Sequence, residues 1–191
     1  IYSKDMKFMG YIRPDKVGGI VNSFKYKGLT VRVVMDWAMG HVIDNGFKGQ
    51  IMGSSRNNNN AIKDAMTNSW QSANDGTKYP KYTVQSDYDY QYRNHMRWDN
   101  QIGSSESGST NNSLYFSKGD YLAFREVSLS YMLPSTWVRK IRLSGVEVFA
   151  GAYNIGYIKK YDGMFPEIYT GVDYGVYPRP RQYNMGVKIN F

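Results

Sequence analysis

Asp36 and Glu126 are the acidic residues that could do acid–base chemistry, because each lies on the polar side of a segment in which polar and apolar residues alternate. Two nearby carboxylates can act as a general acid and a general base. Arg32 stands four residues before Asp36, so ordinary ion pairs between charged side chains account for the same residues. We therefore interpret Asp36 and Glu126 as structural and expect no catalytic residue.

The residue types of the chain do not favour a metal or cofactor site. The chain has no cysteine, and its two histidines, His41 and His95, stand far apart in the sequence. A zinc site needs three or four convergent ligands, which two isolated histidines do not supply. The chain also lacks a G-x-S-x-G elbow and a phosphate-binding glycine loop. The sequence predicts neither an enzyme nor a bound metal or cofactor.

The positive charge of the chain does not form a nucleic-acid surface. The formal net charge is +8 over 191 residues, but lysine and arginine are scattered and never cluster in runs longer than two. Phosphate binding uses a concentrated basic stripe or helix. We therefore expect no nucleic-acid partner. No stretch of eighteen apolar residues predicts a transmembrane helix either.

Alternation of side chains is the dominant pattern of the sequence. In residues 181–191, Tyr183, Met185, Val187 and Ile189 share one side, and polar residues or glycine occupy the other. Successive side chains of a strand point to opposite faces, so this pattern predicts a strand with one apolar and one polar face. The sequence predicts five such strands, near residues 18–27, 29–42, 120–133, 145–156 and 181–191.

The connections between these strands alternate between short and long. Residues 28 and 134–144 form short connections, whereas residues 43–119 and 157–180 form long ones. Outer-membrane barrels have short periplasmic turns and long extracellular loops. We therefore expect the long loops outside and the C-terminus in the periplasm. In the first loop, Asn60 is predicted to cap a short helix that extends to Trp70.

Five strands do not form a closed wall. An open sheet in a membrane would leave unpaired backbone groups at both edges, at a cost of several kcal/mol each. The predicted fold class is therefore all-β: the C-terminal antiparallel strands of a transmembrane β-barrel, completed by strands from elsewhere. A soluble β-sandwich is the alternative of another class, and it would need its apolar faces to meet across a common core.

Several runs resemble the end of SusC/RagA-type TonB-dependent outer-membrane transporters. They are GDYLAFREVSLSYMLP, VEVFAGAYNIGYIKKYDGMFPEI and GVDYGVYPRPRQYNMGVKINF, preceded by VGGIVNSFKYKGLTVRVVMDWAMG and NSWQSANDGTKYP. The resemblance covers nearly the whole chain in order and spacing. It implies a bacterial outer-membrane importer with a complete barrel of about 22 strands around a plug.

The resemblance also implies partners and cargo. A SusD-like surface lipoprotein would cover the barrel, and TonB would supply energy through a plug domain that this chain does not contain. The implied cargo is an oligosaccharide, with an oligopeptide as the alternative within the same family. A passive porin-like channel would share the strands but lack the plug. The lipid bilayer is the remaining expected partner.

Candidate contact residues follow from the predicted faces. Side-chain parity predicts that six residues face the barrel interior: Arg32, Asp36, Phe124, Glu126, Phe149 and Tyr153. Three aromatic residues of the first long loop are predicted to contact the ligand or the lipoprotein: Trp70, Tyr90 and Trp98. Aromatic residues commonly anchor such interfaces, and packing within the loop is their alternative role.

Overall fold

The computed structural model describes residues 7–52, 62–73, 76 and 113–191. These residues belong to two compact units. The strand unit comprises Pro14–Gly40, Asp120–Lys160 and Pro178–Phe191. The loop unit comprises the described parts of Ile1–Arg13, His41–Gly119 and Tyr161–Tyr177.

Seven strands are found in the described residues. They are β1 Lys16–Tyr26, β2 Leu29–Met39, β3 Val42–Asp44, β4 Phe116–Lys118, β5 Tyr121–Met132, β6 Gly145–Lys159 and β7 Gln182–Asn190. The strand unit is a five-stranded antiparallel sheet in the order β1-β2-β5-β6-β7. The prediction of an all-β antiparallel fold is confirmed.

A tight turn at Lys27 and Gly28 connects β1 and β2. Both residues have positive φ, 46° and 86° respectively. Positive φ at both central positions matches the turn to the twist of the flanking strands, and glycine adopts it without steric cost. Met132 N donates to Gly28 O at 2.9 Å, so the turn is also tied to β5.

Three α-helices are short and lie between the strands of the described chain. They are α1 Gly46–Met52, α2 Lys63–Thr67 and α3 Ser135–Val138. The N-cap of α2 is Ile62, which makes no side-chain capping bond. The predicted cap, Asn60, lies outside the described residues. Within the described chain, no helix is long and apolar enough to cross a membrane.

In the described chain, the loop unit contains five large buried hydrophobic residues: Ile43, Tyr115, Tyr161, Phe165 and Ile168. It is built from segments far apart in the sequence. Strands β3 and β4 pair in a two-stranded sheet, and Asp44 N donates to Gly171 O at 2.9 Å while Asp173 N donates to Asp44 O at 2.8 Å. The predicted loops 43–119 and 157–180 therefore contain ordered elements, and β2 ends at Met39.

The five-stranded sheet has two chemically different faces, because directly opposed residues of antiparallel strands point to the same side. We call the side that carries Arg32 and Asp36 the polar face and the opposite side the apolar face. One row across the apolar face illustrates its composition: Phe24, Val31, Leu129, Ala150 and Met185. The row beside it on the polar face consists of Lys25, Thr30, Ser130, Phe149 and Gly186.

Candidate functional site on the polar face

A β-bulge interrupts the pairing of β5. Between β2 and β5 the register shifts from Val34 opposite Glu126 to Met35 opposite Phe124, so Arg125 is an additional residue in β5. Between β5 and β6 the register shifts again, and Asn154 of β6 has a left-handed φ of 51°. A bulge places two residues opposite one and reverses the alternation of faces beyond it.

The bulge moves Phe124 to the apolar face. Phe124 is opposite Met35, and Leu122 is opposite Trp37, so both share the face of the apolar β2 residues. The prediction that Phe124 points to the same side as Asp36 is wrong. It assumed regular alternation of side chains along β5, whereas the extra residue Arg125 shifts the alternation by one. Tyr121 and Ala123 lie instead on the polar face, opposite Ala38 and Asp36.

Arg125 forms the centre of the first polar cluster. Its guanidinium donates to both carboxylate oxygens of Asp36, through Nε to Oδ1 and through Nη2 to Oδ2 at 2.7 Å. It also lies 5.8 Å from the ring centroid of Tyr157, and its Nη1 donates to the Tyr157 hydroxyl at 3.3 Å. A bidentate arginine–carboxylate pair fixes both the distance and the plane of the two groups. The cluster therefore fixes the position of the bulge.

Arg32, Glu126 and Ser128 form the second polar cluster. Arg32 Nε lies 3.4 Å from Glu126 Oε2, and Ser128 Oγ donates to Glu126 Oε1 at 2.8 Å. The Arg32 side chain remains 44% exposed, so it keeps donors available on the face. Asp36 and Glu126 thus have separate arginine partners. This arrangement matches the structural interpretation of the two carboxylates.

Phe149 and Tyr153 both lie on the polar face, as parity predicts, opposite Ser130 and Glu126. Each ring lies next to a glycine. A Cβ on Gly186 would come within 2.6 Å of the Phe149 ring, and a Cβ on Gly151 would come within 3.1 Å of the Tyr153 ring. The missing side chains give each ring space to lie against the sheet. The result is a polar surface with two aromatic platforms.

The loop aromatics are only partly covered by the structure. Trp70 follows α2 and is exposed, whereas Tyr90 and Trp98 lie outside the described residues. His41 is buried, and His95 lies outside the described residues. Residues 7–52, 62–73, 76 and 113–191 contain no group of three His, Cys, Asp or Glu side chains that could hold a metal ion.

The loop unit contains a polar network around Asp162. Lys48 Nζ lies 2.6 Å from Asp162 Oδ2, and Ser117 Oγ and Asn45 Nδ2 donate to Oδ1 at 2.8 and 3.3 Å. Asp162 follows β6 in the sequence, and its contacts therefore connect this segment with α1 and β4. Burial alone would raise the pKa of Asp162, but the hydrogen bonds and the Lys48 charge outweigh it, and the pKa is lower than its usual value.

Two tyrosines in the loop unit resist ionisation. The Tyr161 hydroxyl donates to Asp173 Oδ2 at 2.6 Å, and the other oxygen of Asp173 accepts from the backbone N–H groups of Gly175 and Val176. Burial, followed by the hydrogen bond to Asp173, raises the pKa of Tyr161 well above its ordinary value. Burial, followed by the Asp44 carboxylate, raises the pKa of Tyr115 to about 12.

Arg125 and Tyr157 are the members of the site that sequence reasoning missed as contact candidates. Arg125 did interrupt the apolar alternation of its strand. A charged residue at an apolar position is a signal for a bulge. Tyr157 was assigned to the second long loop but lies within β6, opposite Ala123.

Comparison with known proteins shows that this chain is similar to TonB-dependent receptors. The chain is 25% identical over 203 residues to TonB-dependent receptor P3 of Formosa agariphila, an alignment covering 100% of this chain and 18% of that receptor. It is also 26% identical over 91 residues to TonB-dependent receptor SusC of Bacteroides thetaiotaomicron, covering 47% of the chain and 9% of SusC. The predicted resemblance to SusC/RagA-type TonB-dependent receptors is confirmed. No family model matches the chain.

Solved structures share the fold of this chain. The RagAB peptide transporter aligns with a TM-score of 0.71 and 22% identity, covering 100% of this chain and 19% of that one. The RagAB peptide importer in its 'closed-closed' state aligns with a TM-score of 0.65 and 23% identity. The predicted fold class, a segment of an outer-membrane barrel wall, is confirmed. The chain spans about a fifth of the length of these relatives.

Proposed function

We propose that this chain forms part of the wall of a TonB-dependent importer in the bacterial outer membrane, with the polar face toward the lumen and the apolar face toward lipid. The exposure of the apolar face carries the proposal. Met185, in the middle of β7, is 87% exposed, and its row across the sheet contains no polar side chain. In a soluble sandwich this row would be buried against a second sheet.

The proposed orientation follows from the connections. The chain between β2 and β5 and between β6 and β7 is long, whereas Lys27–Gly28 and residues 133–144 are short. With the long connections outside the cell, the short turns and Phe191 lie in the periplasm. The loop unit is then extracellular, where a SusD-like lipoprotein would contact it.

An oligosaccharide is the proposed cargo. Phe149 offers an aromatic surface beside Gly186, and Arg32, Glu126 and Ser128 offer hydrogen-bonding groups on the same face. Sugars are bound by this combination of an aromatic surface and a few polar groups. The chain's own contribution is binding and positioning, since the two carboxylates are engaged by arginines.

An oligopeptide is the second candidate. The Arg32–Glu126 pair is partly exposed and offers one positive and one negative group, which can complement the termini of a peptide. The fold is also that of a protein named a peptide transporter. TonB and a plug domain from the rest of the protein would drive release of either cargo.

Mild detergent extraction of the full-length protein, followed by mass spectrometry of everything that co-purifies, tests the assembly. We expect a plug-containing barrel, a SusD-like lipoprotein and a retained oligosaccharide or peptide. A barrel without a plug would instead identify a passive channel. A folded, water-soluble chain of this length purified alone would overturn the membrane proposal.

Phe149→Ala tests the lumen surface. Loss of the ring should weaken binding of the retained cargo by about threefold to tenfold, since aromatic contacts contribute roughly 0.5 to 1.5 kcal/mol beyond buried area. Binding to the detergent-purified complex is measured by calorimetry. Leu129→Ala, on the apolar face, is the matched control and should leave affinity unchanged. Equal effects of both substitutions would remove Phe149 from the binding surface.

A further inference from the structure

The turn between β5 and β6 exposes two large apolar side chains. Trp137 of α3 is 63% exposed, and Ile141, four residues later in the following 3-10 turn, is 65% exposed. Residues four apart on a helical segment lie close to the same side. Both strands that flank the turn are interior strands of the sheet, with neighbours on each side. The exposure therefore does not result from an unpaired edge.

The turn folds toward the apolar face. Val146, on the apolar face opposite Ile189, is 8% exposed, whereas the next residue on that face, Val148, is 44% exposed. Helix α3 contacts β6, and its Val138 is fully buried. We therefore attribute the burial of the Val146 side chain to residues of the turn. Val138 anchors the turn and leaves Trp137 and Ile141 outward.

The charge of the turn has one sign. Residues 134–144 contain Arg139, Lys140 and Arg142 and no acidic residue. All three are exposed, and none forms an ion pair within the described chain. Unpaired basic groups beside exposed apolar side chains are the composition of a segment that lies in a membrane interface.

The position of the turn relative to the sheet agrees with that composition. Tyr26 and Tyr131 lie on the apolar face at the end of the sheet where this turn emerges. Tyrosine and tryptophan concentrate at the boundary between hydrocarbon and water. The turn begins at Leu133, two residues beyond Tyr131. It is therefore at the depth of lipid headgroups if the apolar face contacts hydrocarbon.

From these observations, and resting on the proposed membrane orientation of the sheet, we infer that the β5–β6 turn is an interfacial anchor. Trp137 and Ile141 insert among the acyl chains of the periplasmic leaflet, and Arg139, Lys140 and Arg142 bind the phosphates of anionic phospholipids. Arginine and lysine suit this role because they donate to phosphate oxygens while their aliphatic stems remain in apolar surroundings.

Fluorescence quenching by lipids tests the insertion. This chain has no cysteine, so Ile141→Cys can carry a fluorophore in the full-length protein once any other cysteine is replaced. The protein is reconstituted in phosphatidylcholine vesicles that contain nitroxide-labelled phosphatidylcholine. Met185→Cys reports on the apolar face, and Tyr177→Cys, an exposed position in the loop unit, is the control outside the membrane.

We expect quenching at positions 141 and 185 and none at 177. Quenching at 185 alone would overturn the anchor and leave the membrane wall intact. Quenching at neither 141 nor 185 would overturn both proposals. If the label at 141 is shielded from lipid, and a photoreactive cross-linker attached to the same cysteine joins another protein in native membranes, the anchor is wrong and the turn is a protein interface.

The headgroup contacts have their own test. Nitroxide-labelled phosphatidylglycerol should quench position 141 more efficiently than labelled phosphatidylcholine at the same mole fraction. The R139Q/K140Q/R142Q variant should reduce this preference by at least about fivefold, the fold-change expected from losing the contribution of a single basic group near an anionic surface. A preference that is unchanged in the variant would remove the phosphate contacts from the proposal.

Discussion

The loop unit and the strand unit hold their apolar residues in opposite ways. In the loop unit, Tyr115 and Ile43 are 1% and 0% exposed, and Phe165 is buried as well. In the strand unit, large residues such as Phe24 and Met185 are exposed, and its buried residues include the small Ala38 and Ala123. The loop unit contains large buried apolar side chains, whereas the strand unit presents apolar surface to its surroundings.

This difference in the exposure of apolar residues indicates different surroundings for the two units. Burial of apolar surface is the main favourable term in folding, and a large exposed apolar patch marks an interaction surface. In the loop unit, residues such as Ile43 and Tyr115 contribute to this term. The strand unit is held together by backbone pairing, and the proposed contact with hydrocarbon accounts for its exposed apolar face.

Among the predicted substitutions, Tyr115→Ala should cause the largest loss of stability, and this loss should be confined to the loop unit. It removes a fully buried ring from the core of the loop unit and should cost that unit about 3 to 5 kcal/mol. Hydrogen exchange of the detergent-purified full-length protein should show lost protection in β3 and β4 and unchanged protection in β5 and β6. Tyr183→Ala, at an exposed position of β7, is the matched control. Full protection of the loop unit in the Tyr115 variant would contradict the proposed core.

Met185→Arg should have the next largest effect, through the strand unit. An arginine on the lipid side of a barrel near the membrane midplane costs about 2 to 4 kcal/mol. The stability is measured by denaturant unfolding of the full-length protein in lipid vesicles. Asn184→Arg places the same charge one residue away on the polar face and should change stability little. Equal costs for the two variants would show that the faces do not differ in solvent.

Alkaline pH should weaken the loop unit selectively and by a smaller amount. The pKa of Tyr115 is raised from 10.0 to about 12, so the folded unit holds this proton more tightly than the unfolded chain does. The associated stability is fully present below pH 10 and is lost as the pH rises toward 12, by about 2 to 3 kcal/mol in total.

Tyrosinate absorbance and hydrogen exchange across this pH range measure the effect together. Tyr115→Phe removes one of the two buried tyrosines whose pKa is raised and leaves Tyr161, so it should reduce the loss of protection at high pH in part. If the loop unit of the variant and of the unchanged protein lose protection at the same pH, titration of Tyr115 is not the cause.

Side-chain alternation predicted the antiparallel sheet because face assignment in a regular strand is a local property. In β7, for example, Tyr183, Met185 and Val187 share one face without any contribution from distant residues. Arg32, Asp36, Glu126, Phe149 and Tyr153 were placed on the polar face for the same reason.

The predictions from sequence were wrong or missing where the local structure depends on residues far away in the sequence. Phe124 was placed on the wrong face because the bulge at Arg125 depends on Asp36, which lies 89 residues earlier. The loop unit was not predicted because β3 is three residues long and Asp44 pairs with Gly171, far along the chain. Such pairings have no local sequence pattern.

The bulge at Arg125 also limits how the gene for this wall can change. Deleting that one codon would remove the bulge and place Phe124 directly beside Glu126, so β5 would become regular with Tyr121–Phe124 on their present faces. Deleting one codon at a regular position of β5, with the bulge kept, would instead exchange the faces of all residues on one side of the deletion. Length variants of this strand that remain functional should therefore differ by the bulge residue itself or by even numbers of codons.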